Sequence, residues 1–279
     1  MSISIASFSF HGLKSAGLMD VFGYLETCRY RYGLGTADIW NGLIDRDPEV
    51  YLNDAFAAKL VGALAERELT VVNYHADGCH AWENEAAARD RNHSLALRHL
   101  KFGAQIGAKT VRIDAGSRGQ TWTDEQFDLI VQRFKEYCRI AGDAGMKVGP
   151  ESHWGPELVP DNMERLAKAV DSPAFGILLH IGHWDNAPIE EGDRRLAKYA
   201  VHTHVDQKTS ETRLESAMKI LIDAGYTGCW GVEHHTGKNE YAEVAVQIAL
   251  VKRQLAKFAA AGVVVRTPGG KNDMIPDNV

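Results

Sequence analysis

Apolar residues along this chain follow two alternating periods. Short runs of β-branched and apolar residues fall at positions 3–10, 36–40, 70–75, 110–115, 147–152, 175–181, 201–206 and 229–234. Runs of that length bounded by turn residues predict strands. Between them, apolar residues at three- and four-residue spacing predict helices over 54–66, 85–106, 124–141, 157–170, 194–199, 212–224 and 240–260. The stretch DAFAAKLVGALAE at 54–66 shows the spacing most plainly. Thr123 with Gln126 three residues on forms a capping-box pattern ahead of the third helix. Gly107, Gly145 and Gly225 stand where helices end. The helix at 194–199 is the weakest, and the segment DNAPIEEGD before it reads as a long loop.

Eight strands alternating with helices predict an α/β chain, a (β/α)8 TIM barrel of one domain over residues 1–261. An open doubly wound sheet is the alternative, but no GxGxxG or phosphate loop follows an early strand. Residues 262–279, GVVVRTPGGKNDMIPDNV, carry Gly and Pro and read as an irregular C-terminal extension. Its expected anchor is either the barrel itself or a partner, so a homo-oligomer or a complex with a small second subunit is expected.

Composition narrows the function classes. A chain of 279 residues, 45% hydrophobic and 24% charged, is long enough to bury a large core. With 31 basic against 37 acidic residues the net charge is −6, which gives no global attraction to nucleic acid or an anionic membrane. No apolar run approaches the ~20 residues of a membrane span. The N-terminal segment reads as a strand and not as a leader. Four scattered cysteines without a CxxC pair predict a reduced, cytoplasmic protein. Twelve histidines are the unusual count, and seven of them lie between His153 and His235.

In a barrel the chemistry collects at the C-terminal ends of the strands. Strands five to eight end in Glu151, His180, His204 and Glu233, separated by 29, 24 and 29 residues, each close to one βα repeat. The four side chains therefore converge near the barrel axis. A lone strand-end His or Glu is more often structural, but four in phase are hard to explain that way. Two carboxylates and two imidazoles make a ligand set for one divalent cation, and the mixture admits Mn²⁺, Co²⁺, Zn²⁺ or Mg²⁺. Without a cation, the two carboxylates would repel each other.

Further candidates surround that point. His153 shares the face of Glu151 two residues earlier and offers a separate base. Trp40, His75 and Arg112 lie at or near the ends of strands two, three and four, and are candidate substrate contacts; Arg112 has a buried ion pair with Asp114 as its competing role. Trp154 and Trp184 follow two site strands and are candidates to stack on a substrate ring. Of the neighbours His234 and His235, only one can share a given face.

The strings GPESH, LLHIGHW, HTHVDQ and WGVEHH resemble, in order and spacing, the strand-end motifs of the xylose isomerase-like TIM barrel superfamily. That group includes D-tagatose 3-epimerase-like sugar isomerases and epimerases, dehydratases and endonuclease IV. The resemblance implies that Glu151, His204 and Glu233 bind metal and that Glu151 and Glu233 act as the acid–base pair. It implies for His183 a contact either with the metal ligands or with substrate. Two departures stand out. His180 occupies a position where the family has Asp, which shifts the metal preference toward Mn²⁺, with Co²⁺ or Zn²⁺ also above Mg²⁺. Asp206-Gln207 replaces a Lys-Asp pair. The implied activity is proton abstraction α to a carbonyl in a sugar or keto-sugar, as an isomerase or epimerase. The alternative is a lyase, either a dehydratase or a subunit of a C-glycoside deglycosidase acting on 3-oxo-glycosides. An endonuclease IV-like nuclease and a non-catalytic binding barrel rank below both.

Overall fold

Strands buried on both faces need apolar side chains throughout, and the first, β1 (Ile3–Ile5), is buried along its whole length. The computed structural model describes residues 2–263. The remaining strands are β2 (Thr36–Trp40), β3 (Thr70–His75), β4 (Thr110–Arg112), β5 (Lys147–Gly149), β6 (Ile177–His180), β7 (Ala200–Asp206) and β8 (Trp230–Glu233). All pair in parallel, in two arcs ordered β1-β8-β7-β6 and β2-β3-β4-β5. Single bridges join the arcs, Ala6 to Asp38 on one side, and Val148 to Phe175 and Glu151 to Leu178 on the other. A (β/α)8 barrel results. The extension from residue 264 onward, and with it the expected anchoring by a partner, lies outside the described residues.

Around the ring stand α1 (Val21–Glu26), α2 (Asp54–Glu66), α3 (Ala86–Gln105), α4 (Asp124–Asp143), α5 (Pro160–Val170), α6 (Ile189–Leu196), α7 (Leu214–Asp223) and α8 (Glu240–Ala260). The Thr123–Gln126 capping box is present, each side chain meeting the other's backbone N–H. Three expectations are corrected. The first strand stops at Ile5, because residues 7–10 coil into a 3-10 turn that uses its serines as connectors. Ser7 Oγ accepts the Trp40 N–H and Ser9 Oγ the His234 N–H. The sixth helix begins at Ile189, not 194: Pro188 stands at its N-cap, and Glu190 and Glu191 suit the positive end of the helix dipole. The short α1 was not foreseen, although Asp20 caps it by accepting the Gly23 N–H.

Strands four, five, six and eight stop short of their predicted ends, so that the last residues leave the ladder at the barrel mouth. At β5 the cause is Pro150, which has no N–H to donate. Its carbonyl accepts the Leu178 N–H, and Ser152 donates to the Leu178 carbonyl, so Glu151 is held at the seam between the two arcs. Gly149 makes that seam sterically feasible, since a Cβ there would sit 1.7 Å from the Gly176 carbonyl oxygen. Gly149→Ala is expected to destabilise the fold by about 3 kcal/mol or more. Calorimetry reads it as a Tm lower by several degrees, and an unchanged Tm would contradict the seam argument.

Candidate metal centre

Glu151 beyond β5, His180 at the end of β6, His204 in β7 and Glu233 at the end of β8 meet on the barrel axis, all buried. Their facing atoms form a four-cornered cage. Glu151 Oε1 lies 3.1 Å from His180 Nδ1 and 3.0 Å from His204 Nδ1. Glu233 Oε2 lies 3.5 Å and 3.3 Å from the same two nitrogens. Ligands about 2.1 Å from one ion stand about 3.0 Å apart in octahedral and about 3.4 Å in tetrahedral geometry. The cage therefore fits a first-row divalent cation.

The charges agree with the spacing. Burial disfavours the charged forms of both glutamates, yet His204 and His180, joined by His153 at Glu151 and by His235 at Glu233, together outweigh it and hold each carboxyl well below the usual range. Burial alone would lower the His204 pKa, but Glu233 and Glu151 raise it well above the ordinary imidazole value. His180 stays neutral, pushed down to about 4 by burial, which its carboxylate neighbours only partly offset. One imidazolium proton thus stands between two carboxylates, in the place where a cation would serve both better.

Above the cage opens a cavity of about 280 Å³. Arg112, from β4, lines it and is paired with three carboxylates, 2.6 Å from Asp77 Oδ1, 2.9 Å from Asp114 Oδ2 and 3.3 Å from Glu151 Oε2. The expected ion pair with Asp114 is present. Asp114 Oδ2 also accepts from His153 Nδ1 at 3.0 Å and from Trp154 Nε1 at 3.2 Å, so Trp154 braces this wall by its indole N–H. Burial lowers the His153 pKa, but Asp114 and Glu151 more than compensate and bring it to about 9. Trp40 lines the cavity next to Arg112, its indole N–H donated at 2.6 Å to Oδ2 of the same Asp77 that pairs with the guanidinium.

His75 lines the cavity as well, with its Nε2 donated to Asp38. His183 lines the cavity beside His180, the rings parallel within 10° and their centroids 3.5 Å apart. Rings stacked in that way cannot both aim an in-plane lone pair at one ion, so His183 stands outside the cage. Trp184, like Trp154, is not among the residues that line the cavity. It is turned away from the cavity, donating its indole N–H to Asp193 Oδ1 at 2.8 Å against α6, so the expectation that it stacks on a substrate ring is corrected. The packing that turns it came with the unforeseen first turn of α6, where Gly192 lies against the indole.

Sequence reading missed four residues. His235 lines the cavity 3.1 Å from Glu233 Oε2, while His234 points the other way, as strand alternation requires. Phe8, in the 3-10 turn that replaces the end of the predicted first strand, and Asp77, in the loop after β3, complete the walls. Asp38 lies beneath the cage, and its signal was an acidic residue inside an otherwise strand-like run, TADIW.

A family model described as "Xylose isomerase-like TIM barrel" matches residues 31–254. Among solved structures, a D-tagatose 3-epimerase-like protein is 15% identical with a TM-score of 0.68, covering 91% of this chain and 100% of its own. A xylose isomerase-like TIM barrel protein from Mycobacterium smegmatis, in complex with magnesium, is 15% identical with a TM-score of 0.67, covering 84% and 89%. The 3-keto-D-glucoside 4-epimerase of E. coli is 16% identical with a TM-score of 0.66, covering 82% and 94%. No curated protein matches the sequence.

Proposed function

Since the chain belongs to the xylose isomerase-like TIM barrel family, we propose that it is a divalent-metal-dependent sugar isomerase or epimerase, one that removes a proton from the carbon next to a carbonyl. The observation that carries this reading is the cage of Glu151, His180, His204 and Glu233 at the floor of a cavity sized for a small ligand. A cation held there would supply Lewis acidity, lowering the cost of negative charge on the substrate's carbonyl and adjacent hydroxyl oxygens. Mn²⁺ is our first choice, because mixed carboxylate and imidazole donors favour an ion between the hard and borderline classes; Co²⁺, Zn²⁺ and Mg²⁺ follow. All four cysteines are buried free thiols, which fits a reducing compartment and supports a cytoplasmic placement. No described helix is long and apolar enough to cross a membrane.

The chain's own groups divide the remaining work. Glu151 is pinned through both oxygens, Oε1 in the cage and Oε2 against Arg112, so its geometry is fixed and its basicity reduced. Glu233 faces the cavity from the other side with His235 beside it, and is the carboxylate better placed to exchange a proton with substrate. His153, oriented by Asp114, faces the same space from the β5 wall. Two proton-handling groups on opposite walls suit removal on one side and return on the other. The same His153–Asp114 contact favours a second reading, a lyase in which His153 protonates a leaving oxygen or carbon, as in cleavage of a 3-oxo-glycoside or a dehydration.

Incubating the Mn²⁺-loaded protein with ketohexoses and with 3-oxo-glycosides in D₂O separates the two. We expect deuterium at the carbon next to the carbonyl in recovered sugar. A released aglycone or lost water would replace this reading by the lyase. No exchange with any substrate under Mn²⁺, Co²⁺, Zn²⁺ or Mg²⁺ would overturn both.

A further inference from the structure

Asp38 sits in the middle of β2 with no exposed surface, beneath the candidate cage. A carboxylate so placed requires hydrogen-bond donors to both of its oxygens. Its Oδ1 accepts from Asn73 Nδ2 at 3.0 Å and from His75 Nε2 at 2.5 Å. Its Oδ2 accepts from Ser4 Oγ at 3.2 Å and from His202 Nε2 at 2.6 Å. Donors from β1, β3 and β7 thus fix the carboxylate in one orientation. β8 contributes the space, because a Cβ on Gly231 would lie 3.0 Å from Asp38 Oδ2 and 3.1 Å from His202 Nε2.

That fixed oxygen faces one more group. His204 Nε2 is 3.5 Å from Asp38 Oδ2 and finds no other partner, while Nδ1 of the same ring faces Glu151 and Glu233. A neutral imidazole carries one N–H and one lone pair. To offer the lone pair at Nδ1, it must keep its proton on Nε2, where a buried N–H requires an acceptor. Its ring plane is clamped as well: the His75 ring stacks on it at 4.8 Å and the His202 ring meets it edge-on at 5.6 Å.

We propose that Asp38 is a positioning residue for the metal centre, accepting the His204 Nε2–H and so fixing the tautomer whose Nδ1 lone pair faces Glu151 and Glu233. The inference rests on the metal reading above. Its Asp38–His204–cation order follows a general rule, in which the nitrogen opposite the bound one donates to a carboxylate or carbonyl.

Two measurements test it. Titration calorimetry with Mn²⁺ should show Asp38→Asn binding about 10- to 100-fold more weakly than wild type. Histidine ¹⁵N spectra of the wild-type protein loaded with Zn²⁺ should show His204 protonated at Nε2 and bound through Nδ1, its resonances assigned by their loss in His204→Gln. The spectra need no Asp38 variant, so they decide the matter even if Asp38→Asn fails to fold. A folded Asp38→Asn protein with affinity within twofold of wild type would overturn the proposal, as would His204 protonated at Nδ1. In either of those cases wild-type metal binding, and with it the proposed function, would stand. Wild-type protein that binds neither ion would remove the metal reading and this proposal together.

Discussion

Glu151→Gln is expected to lower kcat/KM by at least about 10³-fold, or about 4 kcal/mol of transition-state stabilisation, and to abolish the Tm increase that Mn²⁺ gives the wild-type protein. The carboxylate touches three separate parts of the site. Through Oε1 it forms two edges of the cage, at 3.1 Å to His180 and 3.0 Å to His204, and through Oε2 it meets Arg112. An amide cannot replace either function: it brings no charge to a cation, and its NH₂ group would face imidazole nitrogen or guanidinium. The fold should survive, because Arg112 keeps Asp77 and Asp114 as counter-charges. Removing one of two carboxylates that share a buried site also relieves their mutual repulsion in the metal-free protein. The measurement is therefore a pair, steady-state turnover with and without metal and thermal melting with and without metal. Turnover near the wild-type level would reject the mechanism, whereas a metal-free protein that no longer melts cooperatively would show that Glu151 is needed for folding instead.

The cage was legible in the sequence because barrel geometry converts spacing into position. Separations of 29, 24 and 29 residues between Glu151, His180, His204 and Glu233 are each close to one βα repeat, and parallel strands place residues one repeat apart at similar heights. The register puts His180 directly opposite His204, while Glu151 pairs with Leu178 and Glu233 with Asp206, each two residues from its cage neighbour. Strand alternation likewise allowed only one of His234 and His235 on the site's face, without deciding which. The groups that hold the cage in place were harder to see. His202 shares a strand face with His204, so a signal existed, but a second inward histidine has no meaning until Asp38, 164 residues away, is known to lie against it. Trp184 was misread because a loop tryptophan can turn to the cavity or to the neighbouring helix, and Asp193, which decides it, lies on the unforeseen part of α6.

Replacing His153 by Ala should lower kcat by about 10²- to 10⁴-fold, the range of a positioned acid or base, while metal affinity stays within a factor of a few. His153 lies at the cavity wall and outside the cage, so its loss removes no ligand. Its orientation comes from Asp114, which also receives Arg112 and Trp154 and therefore cannot move with it. The split between turnover and metal binding is what makes this variant informative. If kcat falls and Mn²⁺ still binds, the proton passes through His153, and Asp114→Asn, which leaves the imidazole without its anionic partner, should reproduce part of the loss. If kcat is unchanged, proton transfer runs between substrate and the glutamates alone, and Glu233, with His235 3.1 Å away, becomes the group to replace next. Should metal affinity fall together with kcat, the wall formed by Arg112, Asp114 and His153 would prove to be part of what holds Glu151 in the cage, and the separate-base assignment would be rejected.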